Sequence, residues 1–359
     1  MNDIMKLYAS AARALKLPFE YREEYDGIEV YLAKRKYYFR GGYTPFNEGS
    51  SDNISLNKYS VNRLLHNAGF PVPHVLAIST KEYINGTGLL PNINYPIVAK
   101  PTANTSCGLD VFCNIKDDAT LIQYLNRVKE KYSYINIEKF EGGLTAYRVL
   151  VFFNKVIAVT ERHPACVTGD GKHTIAELIK IKNAQRATIK NVTVGNLKVD
   201  EEYETKLKEM NITLDYIPKI NETVTLCYVC NSTRGGTMTS LGRSICPENA
   251  KLVCRAAKLL NLNVVGFDIN CEDIQRPIEH SRGFFIEANS NPDITIHEAA
   301  LAGMNVPVTK IFLQKIIRRH LCAYLWAYFR QTLHPHGFYF RAALVSLLLF
   351  SFMMILHYL

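Results

Sequence analysis

Short apolar runs broken by polar positions fill the second half of the chain, and two of them organise the rest. Gly266-Phe267-Asp268-Ile269 and Phe284-Phe285-Ile286-Glu287-Ala288-Asn289-Ser290-Asn291-Pro292 are each bounded by Gly or Pro and predict strands. Residues two apart on a strand share a face, so Glu287 and Asn289 should project together, with Ile286 and Ala288 facing the opposite layer. If the Asp268 strand pairs alongside, two carboxylates and an amide oxygen converge. That is a hard, all-oxygen set of the kind that holds Mg²⁺ together with substrate phosphates. The same spacing also suits a half-exposed strand whose acids are merely solvated.

The pattern upstream alternates between helix and strand periods. A helix is expected over 4–15 and strands over 28–32 and 37–40, closed by Gly41-Gly42 and a polar run over 47–53. Asn57 caps a helix whose Val61, Leu64, Leu65 and Ala68 share one face; Gly69 stops it, and Pro71 and Pro73 follow. A buried strand over 95–101 ends in Lys100-Pro101 and leads into a loop of small residues, 102–108, then a helix over 117–131. Strands over 134–140, 147–153 and 156–160 follow, the last two as a hairpin turning at Asn154-Lys155. Next come a helix from Ile175, a polar stretch over 183–221 read as a helical insertion covering the site, and a strand over 223–229. A second small-residue loop spans 231–237, and a helix over 249–260 leads into the Asp268 strand.

Composition adds little until the C-terminus. At 359 residues, 48% apolar and 21% charged, the chain can bury a core of one large or two to three small domains. The net charge of +9 is uneven: no acid follows Glu298, whereas Lys310, Lys315, Arg318, Arg319, Arg330 and Arg341 do. The basic balance therefore marks the C-terminal segment and does not point to nucleic acid. There the run 342–359 is interrupted only by Ser346, Ser351 and His357. Eighteen helical residues span about 27 Å, which predicts a transmembrane helix. The arginines before it place the rest of the chain in the cytoplasm, and Tyr324, Trp326 and Tyr328 suit a membrane interface. A core helix or a surface helix is the competing reading of the run.

Nine scattered cysteines argue for a reducing compartment. Cys227-Tyr228-Val229-Cys230 has zinc-like spacing, but the strand expected there sends the two thiols to opposite sides, with no second pair nearby. Asn-x-Ser/Thr sequons occur without an N-terminal signal peptide, so they are expected to be silent.

Several cations sit where phosphate chemistry would use them. Lys58 occupies a helix first turn, where the helix dipole disfavours it. A phosphate contact and a solvated lysine both explain it. Lys100 ends a strand beside a small-residue loop, an arrangement in which backbone N–H groups cradle phosphate and the ammonium neutralises it. Arg148 and Arg162 lie in or just beyond apolar strands and need anionic partners, either a structural acid or a phosphate. Asn231 and Arg234, in the second loop, suit a reacting phosphoryl group or a developing oxyanion.

In order along the chain, these pieces resemble the ATP-grasp ligases, and in particular the ATP-grasp module of cyanophycin synthetase and of bifunctional glutathione synthetases. The residues carrying the resemblance are Asn57-Lys58, Gly69-x-Pro-Val-Pro73, Val98-Ala-Lys100-Pro101, Glu138-Lys-Phe140, Tyr147-Arg148, Arg162-His-Pro-Ala165 and Gly169-Asp-Gly-Lys-His-Thr-Ile175. They continue with Asn231, Gly235-Gly236, Gly266-Phe-Asp268, and Ile286-Glu-Ala-Asn-Ser-Asn-Pro292 with His297, so that the likeness covers roughly residues 28–315. The resemblance implies an α/β (α+β) ATP-grasp fold, two α/β subdomains clamping ATP. It implies that Lys58, Lys100 and Gly108 contact ATP phosphates and that Glu138, Phe140 and Glu141 lie at the adenine and ribose. It further implies that Arg148 and Arg162 face the phosphoryl group or the acid substrate, and that Asp268, Glu287 and Asn289 hold two Mg²⁺ ions, with Mn²⁺ as a substitute. The implied reaction is ADP-forming: a carboxylate takes the γ-phosphoryl group as an acyl phosphate, and an amine displaces phosphate to form an amide.

Three departures qualify the likeness. Cys107-Gly108-Leu109-Asp110 stands where relatives have a more Gly-rich loop. Ala146 replaces the acid that relatives place before the Tyr-Arg pair, leaving Glu141 as the candidate ribose partner. Arg234 stands where small residues are usual. The large flanking domains of those relatives have no counterpart here, so polymer synthesis is not expected. The expected layout is an N-terminal α/β segment (1–53), an ATP-grasp domain (54–315), a basic-aromatic segment (316–341) and the transmembrane helix (342–359). Amino-acid or small-peptide substrates, a membrane-lipid contact and a homodimer complete the expectation. A catalytically silent nucleotide-binding module recruited to a membrane is the rival reading.

Overall fold

A computed structural model describes residues 1–84, 93–102, 109–191, 193–332 and 337–358. The chain divides into two compact units, Met1–Arg40 with Thr309–Leu359, and Gly41–Val308.

In the first unit, the helix Asp3–Ala14 is capped by Asn2, whose side chain accepts from the Met5 N–H, and it buries Met5, Tyr8, Ala9, Ala11 and Ala12. The Tyr8 ring lies 4.5 Å from that of Phe39, in an antiparallel sheet ordered Phe19–Arg22, Gly27–Leu32, Arg35–Phe39. The strand Phe19–Arg22 adds to the two expected. Helices Val308–Arg319, Leu321–Thr332 and Gly337–Tyr358 complete the C-terminal part. The last contradicts the expected transmembrane helix: among the described residues no helix is long and apolar enough to cross a membrane. Within that helix the apolar run is broken by Ser346, Ser351 and His357. Leu344, Val345, Leu347, Leu348, Leu349, Phe350, Met353 and Met354 are all exposed on it.

The second unit holds two main sheets. The larger has six strands in the order Gly283–Asn289, Val264–Cys271, Thr145–Phe152, Lys155–His163, Thr237–Leu241, Ala302–Met304, antiparallel except for the last pair. Its buried face carries Tyr147, Val149, Val151, Val159, Val265, Phe267, Ile269, Phe285 and Ala288. Helix residues Val61, Leu65, Leu252, Val253, Ala256 and Ala257 cover that face. The hairpin turns at Phe153-Asn154, one residue earlier than expected, and both residues are left-handed (φ 44° and 58°), the backbone a two-residue turn needs.

The second sheet is antiparallel, ordered Val75–Ser79, Tyr134–Lys139, Ile97–Pro101, Phe112–Ile115. The helix Asp118–Val128 packs Leu121, Leu125 and Val128 onto it, and Asp117 caps that helix at Thr120 N–H. A smaller core gathers Ala165, Val167, Ile175, Leu178, Leu197, Tyr203, Leu207, Val224 and Leu226. The expected helical insertion contains one helix of its own, Glu201–Glu209, and is otherwise largely irregular. Its neighbouring strand stops at Thr225, so Cys227 and Cys230 lie beyond it. The strand argument against a zinc pair therefore lapses, yet among the described residues no three His, Cys, Asp or Glu side chains are grouped to hold a metal.

Candidate active site

One row of polar side chains crosses the six-stranded sheet on the face away from the core. Ser240 is registered against Thr160, Thr160 against Arg148, Arg148 against Asp268, and Asp268 against Glu287. Gly266 pairs with Asn289 two residues along, so the three expected metal ligands do come together on adjacent strands. The route differs from simple alternation. Phe285 pairs with Ile269 and Glu287 with Asp268, leaving Ile286 as an extra, bulged residue. The bulge reverses the phase of the strand. Phe285 and Ala288 enter the core, Glu287 faces the site, and Ile286 is half-buried instead of filling the opposite layer.

The charges in and beside the row pair with one another. Arg148 grips Asp268 through Nε and through Nη2 at 3.0 Å, and Arg162 reaches the same carboxylate through Nη1 at 2.9 Å. Burial pushes the Asp268 carboxyl up, but the guanidiniums of Arg148 and Arg162 outweigh it and hold the group at about 2. The acid partner that the two arginines required is thus Asp268. Gly266 makes room: a Cβ there would sit 2.9 Å from Arg148 Cδ and 2.9 Å from Pro292 Cβ. Lys58 enters from the helix Lys58–Asn67, capped by Asn57 at Ser60 N–H, and its Nζ lies 3.3 Å from Glu287 Oε1.

A second buried pair lies in the four-stranded sheet, where Lys100 Nζ meets Glu138 Oε1 at 2.7 Å. Phe140 follows, half-buried and edge-on to Tyr228 at 5.0 Å, and Glu141 is half-buried beside it. Gly108 lies outside the described residues. Ala146 is registered between Arg162 and Asn270.

The second loop is built into the insertion. The Asn231 side chain caps the short turn Ser232–Arg234 by accepting from Thr233 N–H. Arg234 is ion-paired with Asp200 and Glu202. Burial raises the Glu202 carboxyl and Arg234 opposes it, while Glu202 also accepts from Tyr228 and Val229 N–H. Sequence reasoning missed Thr160, Glu202 and Tyr228. Only Thr160 had a signal, as the position two before Arg162 on one strand.

The donor chemistry fits a divalent cation. A carboxylate offers about four lone pairs, and the arginines take three of those on Asp268, leaving one on Oδ1. Two carboxylates and an amide do not make a closed cage; they suit Mg²⁺, which takes its other ligands from water and phosphate.

No protein-family model matches the chain. The arrangement of sheets is that of the ATP-grasp ligases: the fold aligns with a crystal structure of a bifunctional glutathione synthetase from Pasteurella multocida at a TM-score of 0.57 and 23% identity, over 86% of this chain and 43% of that one. In sequence, the chain is a homologue of cyanophycin synthetase and of the bifunctional glutathione proteins. It is 31% identical over 256 residues to cyanophycin synthetase of Crocosphaera subtropica, covering 70% of this chain. It is 27% identical over 284 residues to the glutathione biosynthesis bifunctional protein of Mannheimia succiniciproducens, covering 76% of this chain. The chain spans only 29% and 37% of the length of those two relatives.

Proposed function

We propose that the chain is an ATP-dependent, ADP-forming carboxylate–amine ligase that makes an amide through an acyl phosphate. The observation that carries this reading is the polar row Thr160–Arg148–Asp268–Glu287 with Lys58 at its end. It places paired acids and cations on one face of a sheet. Such a site works by positioning and charge neutralisation, which is what phosphoryl transfer asks of a protein.

In this reading Asp268, Glu287 and Asn289 would hold two Mg²⁺ ions, with Mn²⁺ as a substitute. When bound, the ions neutralise the triphosphate and polarise the transferred phosphoryl group. Lys58 and Lys100 bind phosphate oxygens, and Glu138, Phe140 and Glu141 receive the nucleoside. Arg148 and Arg162 stabilise the charge that develops as the substrate carboxylate attacks. Asn231 and Arg234 close the site from the insertion side, their own pairings fixing the loop. An amino acid or small peptide supplies the carboxylate, and a second supplies the amine. Residues 54–315 form the catalytic unit, active as a homodimer.

The helix Gly337–Tyr358 would hold the protein on a membrane, with the catalytic unit on the cytoplasmic side. Its exposed leucines, valine, phenylalanine and methionines, and the basic residues before it, support that placement. A screen for Mg²⁺-dependent ADP release against pooled amino acids and dipeptides tests the ligase reading. Release that needs both an acid and an amine is expected. Nucleotide binding without turnover on any pool would favour the silent module instead, a reading that Ala146 supports.

A further inference from the structure

Behind the polar row lies a histidine that the proposed reaction leaves without a task. His297 is completely buried, in the short helix Thr295–Glu298. Its Nδ1 lies 2.7 Å from Thr160 Oγ1, and Thr160 Oγ1 donates to the Ile296 carbonyl at 3.0 Å. A threonine hydroxyl has one proton. With that proton on the carbonyl, Thr160 can meet Nδ1 only as an acceptor, so Nδ1 carries the imidazole hydrogen and Nε2 is a bare lone pair. Nε2 is buried and has no partner among the described residues. Burial, reinforced by Arg148, holds the imidazole neutral down to about 3.

One other orphan lies in the same cluster. Arg162 Nε is a buried donor with no partner among the described residues. Thr160 and Arg162 are two apart on the strand Lys155–His163 and share its site face. An unpaired donor and an unpaired acceptor buried in one cluster are costly to leave apart.

We propose that His297 is a positioning residue, a neutral Nδ1-protonated imidazole whose Nε2 is the second seat of the Arg162 guanidinium. In the structure Arg162 rests on Asp268 through Nη1. When a divalent cation claims the Asp268 oxygens, Arg162 keeps an acceptor at His297 and stays on the site face, aimed at the developing negative charge. The inference rests on the ligase reading for its use, but not for its tautomer.

Two measurements on the full-length chain test it. Long-range ¹H–¹⁵N correlation on histidine-labelled protein, with His297 assigned from H297N, should show Nδ1 protonated and Nε2 bare. An Nε2–H tautomer or an imidazolium overturns the inference, whether or not the protein is a ligase. Calorimetry with Mg²⁺ and a non-hydrolysable ATP analogue then separates two variants. In H297Q the amide oxygen reaches the Nε2 position, and affinity should stay within about threefold; H297N keeps only the Thr160 contact and should lose about tenfold. Equal losses in the two variants would reduce His297 to packing. Absence of nucleotide binding in the unaltered protein would sink the ligase reading and leave the tautomer to decide this one.

Discussion

At the scale of single residues, Asp268 carries the most consequence, because two arginines depend on it. Its carboxyl is held at about 2, below the ordinary value of 3.8. A depressed carboxylate stabilises the fold above its ordinary value and loses that contribution as pH falls through the folded one. The stability difference between the unaltered protein and D268N should therefore be full at neutral pH and shrink as pH drops from about 4 to about 2. A urea midpoint difference that stays constant across that window would mean the Arg148–Asp268–Arg162 contacts do not hold in solution. Lys100 and Glu138 form a comparable pair, each about 5% exposed. Removing one partner from a buried pair leaves a bare charge, at a cost of about 3–5 kcal/mol. K100M should destabilise by that order and weaken nucleotide binding, and adding E138Q should recover much of the stability without the binding. If E138Q restores nothing, the pair is not the source of the loss. Glu287→Gln keeps the shape of the side chain and its place opposite Asp268, so a melting temperature close to that of the unaltered protein, with phosphoryl transfer abolished, is expected. Full ADP release in that variant would remove Glu287 from the metal set.

At the scale of elements, the six-stranded sheet explains both what could be read from the chain and what could not. Helix ends were legible because capping is local: Asn57 and Asp117 cap helices at or close to the expected starts, and Gly69, at φ +76°, follows the end of one. The meeting of Asp268 with Glu287 was legible from strand period and from the family likeness. The bulge at Ile286 was not, because an extra residue in a ladder shows only against its partner strand. Nor were the pairings of Arg234 with Asp200 and Glu202, which join segments more than thirty positions apart across an irregular stretch. Gly266 shows how backbone and site are joined. A methyl group there would push Arg148 and Pro292, so G266A should destabilise by about 1–3 kcal/mol and reduce nucleotide affinity together. Reduced stability with unchanged affinity would separate the strand from the site.

At the scale of the whole molecule, the four proposed cations share three acids of the chain: Lys58 pairs with Glu287, Lys100 with Glu138, and Arg148 and Arg162 both with Asp268, which leaves one positive charge over. The two lysine–glutamate pairs are neutral and the Arg148–Asp268–Arg162 cluster keeps a single positive charge, so a phosphate or a lone metal ion meets little net field. Nucleotide and Mg²⁺ should consequently bind with positive coupling, each strengthening the other by the same factor. Calorimetric titrations of each ligand with and without the other measure that factor, and a value near one would contradict the pairing scheme. The exposed apolar side chains of Gly337–Tyr358 should carry the full chain onto anionic vesicles, whereas a chain ending at 336 should remain in the supernatant. Equal sedimentation of the two would remove the helix as the membrane contact. The central claim concerns the reaction. Once the screen has found the acid substrate, ¹⁸O placed in its carboxylate should appear in the inorganic phosphate released during turnover, one oxygen per amide formed. Label recovered in AMP, or phosphate released without label, would contradict an acyl phosphate and with it the ligase mechanism proposed for this site.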